Sequence, residues 1–215
     1  MMKEIKNNPG LVSRTYALLA MAVLAFGLMA ASAPEKDPVQ LLQFIADNMI
    51  RGLKQNHATL KSNPQIVYNL ADRYIIPYAD LPIMSQRVVP PTVWNGATPA
   101  QREAFQKAFT KTLVRTYASA LTAYKDQTIK FFPVRGGVAG KTNIEVSSEI
   151  DSQNGGSQPI NVTYRLIQKN TVWRLIDLSV DGVDMLESFR AQFADILSRG
   201  NMEKLLQQMA AHNSK

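Results

Sequence analysis

After Tyr124 the spacing of apolar residues changes from three-and-four to alternation, and this switch constrains the fold more than any motif in the 215-residue chain. A helix buries a stripe of period 3.6 and a half-covered strand buries every second side chain, so the two halves must be built from different elements. Before the switch, Val39 to Leu60 reads as one helix, and Pro64 to Ala79 as another whose path Pro77 bends or ends. Pro82, Pro90 and Pro91 leave Met84 to Val89 as a short helical piece. Thr98 to Tyr124 is the strongest helix. Thr98 is placed to cap it, Pro99 suits the first position, and Gln101 completes a capping box. Phe105, Phe109, Leu113, Tyr117, Leu121 and Tyr124 then define a face that must be buried.

Four strands are expected beyond the switch: Gln127 to Val134, Asn143 to Asp151, Ile160 to Gln168 and Val172 to Asp181. Ile144, Val146, Ser148 and Ile150 share one face of the second, and Ile160, Val162, Tyr164 and Leu166 point inward from the third. Asn154-Gly155-Gly156 and Lys169-Asn170 mark turns. The fourth strand is apolar on both sides and is expected to be covered on both. Asp184 and Glu187 open a helix with a buried stripe of Leu186, Phe189, Phe193 and Ile196; Gly200 stops it and Asn201 caps a last one. The expected class is α+β, a twisted four-stranded antiparallel sheet packed against a layer of helices, with a meander as the simplest topology.

The N-terminal segment has a different logic. Tyr16 to Ala31 holds no charge; Lys3, Lys6 and Arg14 precede it and Ala31-Ser32-Ala33 follows. That layout is a secretory signal peptide over residues 1–33, and the uncharged run is shorter than the ~20 residues a membrane-spanning helix needs. Residues 34–215 then form a single domain, long enough to bury about 70% of its unfolded surface. The chain has no Cys, hence no disulfide and no site for the acylated Cys of a lipoprotein. A soluble periplasmic protein is the expectation.

Formal net charge is +7, and falls to +5 without residues 1–33, where 21 Lys and Arg face 16 Asp and Glu. The excess is concentrated. Residues 51–141 carry 13 basic against 4 acidic side chains, which suits an anionic surface; in a periplasmic protein that surface is not nucleic acid.

Catalytic motifs do not emerge. Gly140-Lys141-Thr142 ends like a phosphate-binding loop, but Arg135 stands where the motif needs Gly and a strand follows instead of a helix. His57 and His212 are the only histidines, and no ligand set for a metal is spaced along the chain. Of Asp177, Asp181 and Asp184, turn and cap duties explain the last two, which leaves Asp177 as a bare candidate for acid–base work. The residues argue for a binder without cofactor. The helical half is rich in apolar side chains, among them Tyr74, Ile75, Ile76, Tyr78, Leu81, Val88, Val89, Val93 and Trp94, which suit either a core or the lining of a cavity between helices and sheet.

Several stretches resemble one family. Tyr74-Ile75-Ile76-Pro77-Tyr78-Ala79-Asp80, Ala97-Thr98-Pro99-Ala100-Gln101-Arg102 and Leu113 to Leu121 are similar to the MlaC family of periplasmic phospholipid-binding proteins, also called toluene-tolerance auxiliary proteins. Val162 to Leu166, Trp173 to Asp177, Asp181-Gly182-Val183 and Ser188 to Phe193 agree, whereas Pro90-Pro91 departs from the usual Gly-containing connection. The resemblance implies helices and a four-stranded sheet enclosing an apolar lipid pocket. It further implies a non-enzymatic, monomeric carrier that shuttles glycerophospholipid between an outer-membrane complex containing MlaA and an inner-membrane ABC transporter containing MlaD, keeping the outer membrane asymmetric. Expected lining comprises Ile75, Leu81, Val88, Trp94, Phe109, Leu113, Tyr117, Val146, Val162, Tyr164, Leu166, Leu178, Val180, Phe189 and Phe193, with Arg115, Lys125 and Arg165 at the pocket mouth or a partner surface. The competing reading is a periplasmic adaptor or chaperone that holds a protein segment in an apolar groove.

Overall fold

The computed structural model describes residues 35–122, 127–151, 158–198 and 201–213. The expected signal peptide, Lys125 and the Asn154-Gly155-Gly156 turn lie outside them. Helix α1 spans Pro38–Gln55 and starts where Asp37 accepts hydrogen bonds from the Val39 and Gln40 N–H groups at 2.9 and 3.0 Å. It ends before Leu60, because the Asn56 side chain and backbone turn back on the last carbonyls (Asn56 Nδ2 to Gly52 O, 2.8 Å). Helix α2, Gln65–Tyr74, crosses α1 closely: a Cβ added to Gly52 would lie 2.3 Å from Leu70 Cδ2. Pro77 falls in a single 3₁₀ turn, Ile76–Tyr78, so the path breaks as its ring dictates. The chain then touches the sheet, with Asp80 N–H donating to Leu175 O at 2.8 Å, before the short helices α3, Leu81–Arg87, and α4, Pro91–Gly96.

Helix α5 runs from Pro99 to Thr122 and opens with the expected capping box, Thr98 N–H to Gln101 Oε1 at 2.9 Å and Gln101 N–H to Thr98 Oγ1 at 3.2 Å. Five strands follow in the order β1-β2-β3-β4-β5, every neighbouring pair antiparallel: Thr128–Phe131, Asn143–Asp151, Ile160–Lys169, Val172–Val180 and Val183–Asp184. The expected four are β1 to β4. The fifth is two residues long, turned back on β4 by Asp181 and Gly182, both at positive φ (48° and 82°), and too short to show any period. Helix α6, Met185–Ser198, is capped by Asp184 (Glu187 N–H to Oδ1, 2.9 Å), and α7, Met202–Asn213, by Asn201 (Lys204 N–H to Oδ1, 3.1 Å).

The helix layer is held by interlocked rings. Phe105 and Phe109 of α5 meet Phe189 and Phe193 of α6, with ring centroids 5.4–6.0 Å apart and most pairs edge-to-face. Val88, Val89, Leu197, Leu205 and Met209 belong to the same buried cluster. Both sides of β4 are covered, as its sequence demands: Trp173, Ile176 and Asp177 are each buried. Removing one ring leaves neighbours that cannot close the gap. Phe109→Ala is expected to cost about 3–5 kcal/mol of stability, read from the urea midpoint at unchanged slope.

Candidate functional site

Strand register builds one apolar face across the sheet. Ile129 pairs with Ile150, which pairs with Ile160; Val146 pairs with Tyr164, which pairs with Leu178; Val162 pairs with Val180, which pairs with Val183. Partners directly opposite one another present their side chains on the same side, so these residues form a continuous surface. Its burial is graded. Val146 and Leu166 are fully buried and Ser148 and Val162 nearly so, Tyr164, Leu178, Val180 and Ile150 are half-buried, and Ile160 and Val183 at the rim are exposed at 42% and 65%. The face is therefore sealed at one end and open at the end of the β4–β5 turn. Ile160, expected to point inward, is on the inward face but beyond its cover.

Polar groups on this face satisfy one another. Ser148 Oγ donates to Tyr164 Oη at 3.4 Å, and the Phe131 ring lies 5.6 Å from that of Tyr164. Burial raises the Tyr164 hydroxyl above its ordinary range, with Ser148 opposing, so the phenol stays neutral. Tyr117 of α5 is raised by its own burial and by the negative charge of Asp177. Tyr117 and Leu178 both pack on the phenylalanine cluster, which is where sheet face and helix layer meet.

The opposite face is polar and is organised around Arg165. Its guanidinium binds Glu145 (Nε, 3.2 Å), Asp177 (Nη1, 2.9 Å) and Asp184, joining β2, β3, β4 and the start of α6. Asp177 also accepts the N–H groups of Leu178 and Leu186 at 2.8 and 3.4 Å. Burial, reinforced by Asp184, raises the Asp177 carboxyl. Burial would raise Asp184 too, but the Glu187 N–H and Arg165 outweigh it and hold that carboxyl below its ordinary range. A pocket of about 1080 Å³ opens on this side, lined by Arg87, Arg135, Lys141 and Glu149 among others.

The model of the family described as MlaC protein matches residues 43–211. This chain belongs to the MlaC family. Among its relatives are the toluene tolerance protein ttg2D of Pseudomonas putida, 28% identical over 84% of this chain and 81% of that one, and the intermembrane phospholipid transport system binding protein MlaC of Haemophilus influenzae, 25% identical over 92% of each. Among solved structures it is similar to the phospholipid-binding protein from Ralstonia solanacearum in complex with a phospholipid. That pair has a TM-score of 0.75 and 29% identity, over 83% of this chain and 97% of the other.

In this MlaC-family fold fourteen of the fifteen expected lining residues fall into two groups, with Leu178 belonging to both. Val146, Val162, Tyr164, Leu166 and Val180 lie on the apolar sheet face. Val88, Phe109, Leu113, Phe189 and Phe193 lie inside the helical cluster, with Leu81, Trp94, Tyr117 and Leu178 packed against it. Ile75 is half-buried where α2 ends. Ile129 and Phe131 of β1 and Val183 of β5 join the sheet face through strand pairing and are outside the expected set, as are Ser148 and Ile150, whose place on that face the alternation of β2 already gives. Arg165 is tied to three carboxylates at the strand junction, and Arg115 lines a separate groove between α2 and α5.

The Arg165 junction carries a pH dependence whose sign is fixed. A carboxyl held below its unfolded value stabilises above that value, ~3.9 for Asp, and ceases to do so as pH falls through the folded one. Asp184→Asn keeps a competent helix cap but loses the charge. The variant is expected to unfold at lower urea than the wild type at neutral pH, and the gap to close on acidification below that range.

Proposed function

We propose that this protein is a carrier of glycerophospholipid that holds acyl chains against the apolar face of its sheet and leaves the headgroup outside. The observation that carries the reading is the burial gradient of that face, sealed at Val146 and Leu166 and open at Ile160 and Val183. It is supported by the likeness to a protein solved with a phospholipid bound. A two-chain lipid exposes roughly thirty methylenes, and at about 0.8 kcal/mol each their transfer to water costs on the order of 20 kcal/mol, so movement across an aqueous space needs such a host. The charged headgroup has the opposite requirement, because burying an unpaired phosphate is costly.

In this reading residues 1–33 direct export to the periplasm, and residues 34–215 act there as a single, non-catalytic domain. The carrier exchanges lipid with an inner-membrane ABC transporter containing MlaD and an outer-membrane complex containing MlaA, maintaining outer-membrane asymmetry. Docking to either complex must favour an open state, since affinity sufficient for carriage opposes release. Chains inserted beside Tyr117 and Leu178 reach the junction of sheet and helices, which connects the two groups of lining residues.

Native mass spectrometry of protein purified from the periplasm without detergent is expected to show a phospholipid adduct. Val180→Arg, at a half-buried position that tolerates a long side chain, is expected to fold and lose most of that adduct. A bare wild-type mass that persists after incubation with phospholipid vesicles sinks the carrier reading and favours a protein-binding adaptor.

A further inference from the structure

Helix α5 carries a second stripe that the apolar face does not use. Lys107, Lys111 and Arg115 follow at i, i+4 and i+8 and share one side of the helix, while Phe105 and Phe109 are turned into the core. That side opens on a groove of about 910 Å³ between α2 and α5, to which Lys61 adds a fourth cation. Asp72 is the acidic residue in its lining. Lys107 is paired with Glu103 at 2.7 Å, but among the described residues no carboxylate lies within ion-pair distance of Lys61, Lys111 or Arg115. What marks this groove is clustering: Lys61, Lys111 and Arg115, together with Lys107, line one trough in which Asp72 is the single carboxylate among the described lining residues.

Cations gathered in a cleft focus positive potential within it and draw in an anionic partner. The shape selects the kind of anion. A bilayer is flat on this scale and meets only the tips of the lysines, whereas a polypeptide segment follows a trough between two helices and meets the cations along its length. Tyr68, Val114 and Ala118 add apolar surface to the trough, which suits side chains more than headgroups. We infer that the α2–α5 groove docks an acidic polypeptide segment of a partner protein. Docking is steered by charge, is weakened by salt, and leaves the sheet face free.

The test uses fluorescein-labelled octaglutamate as the probe, titrated into the purified protein at low and high salt. Saturable, salt-sensitive binding is expected. Lys111→Glu combined with Arg115→Glu is expected to weaken it about tenfold or more, while the charge-matched pair Lys36→Glu and Lys204→Glu on exposed sites changes it by less than about twofold. Lipid content by native mass spectrometry is expected to be equal in all three proteins. If the groove variant fails to unfold cooperatively, Lys111→Gln with Arg115→Gln asks the same question with less repulsion. Equal loss in the two glutamate variants, or no loss in the groove variant, overturns the assignment. So does binding to phosphatidylglycerol vesicles that the groove variant loses, if octaglutamate is ignored by the wild type; the groove is then a membrane contact.

Discussion

A slip of one residue between β3 and β4 would turn Val162, Tyr164 and Leu166 to the polar side of the sheet and abolish the apolar face. In a sheet with one face polar and one apolar, register is therefore what everything else depends on. The Arg165 junction sits where register is most at risk. Arg165 is directly opposite Asp177, and the pairing shifts by a bulge between Arg165 and Leu166, so that Leu166 faces Leu175 and Ile176 is the extra residue. A guanidinium bound to carboxylates on three other elements holds one alignment on the open side of that bulge. The same Asp177 receives the Leu186 N–H, so the start of α6, and through it Phe189 and Phe193, is placed relative to the sheet by the group that fixes the strands.

Much of this was legible from local chemistry. The caps at Thr98, Asp184 and Asn201 involve groups three residues apart, and such short-range bonds are written into the sequence. Alternation placed β2 and β3, a short run apolar on both sides placed β4, and the helical stripe of α5 placed its phenylalanines. Failures came where burial depends on distant cover. Leu60 is buried, which extended the apparent helix from Val39, yet it belongs to a turn that Asn56 initiates. Ile160 continues the pattern of β3 but is 42% exposed. Arg165, expected at the pocket mouth or a partner surface, has its three carboxylates 12 to 20 residues away in sequence, and only strand pairing brings them together. The two-residue strand that the Asp181-Gly182 hairpin creates is too short to be legible in the sequence.

The two kinds of apolar surface have different physical characters. Interlocked rings in the helix layer are matched in shape, so each fixes the others, and this cluster stabilises a chain that has no disulfide to assist. The open half of the sheet face is mostly isoleucine and valine with no partner of comparable fit. Aliphatic side chains on a pleated surface accept chains of varied length and position, because dispersion contacts are non-directional and no polar group demands a particular geometry. On the proposed reading, stability rests mainly on the ring cluster and ligand accommodation mainly on the open sheet face of the same domain.

Helix α5 belongs to both parts and to the basic groove. Its first half supplies Phe105 and Phe109 to the cluster, one side supplies Lys107, Lys111 and Arg115 to the groove, and Tyr117 reaches the lip where Leu178 begins the sheet face. That placement does not by itself make docking a trigger for release. A partner segment in the groove shifts the lipid equilibrium only to the extent that it binds the open and closed forms differently, whatever its absolute affinity. The close crossing at Gly52 and Leu70 ties α2 to α1, and the interlocked rings tie α5 to α6, so any such difference has to arise in the groove between two anchored helices.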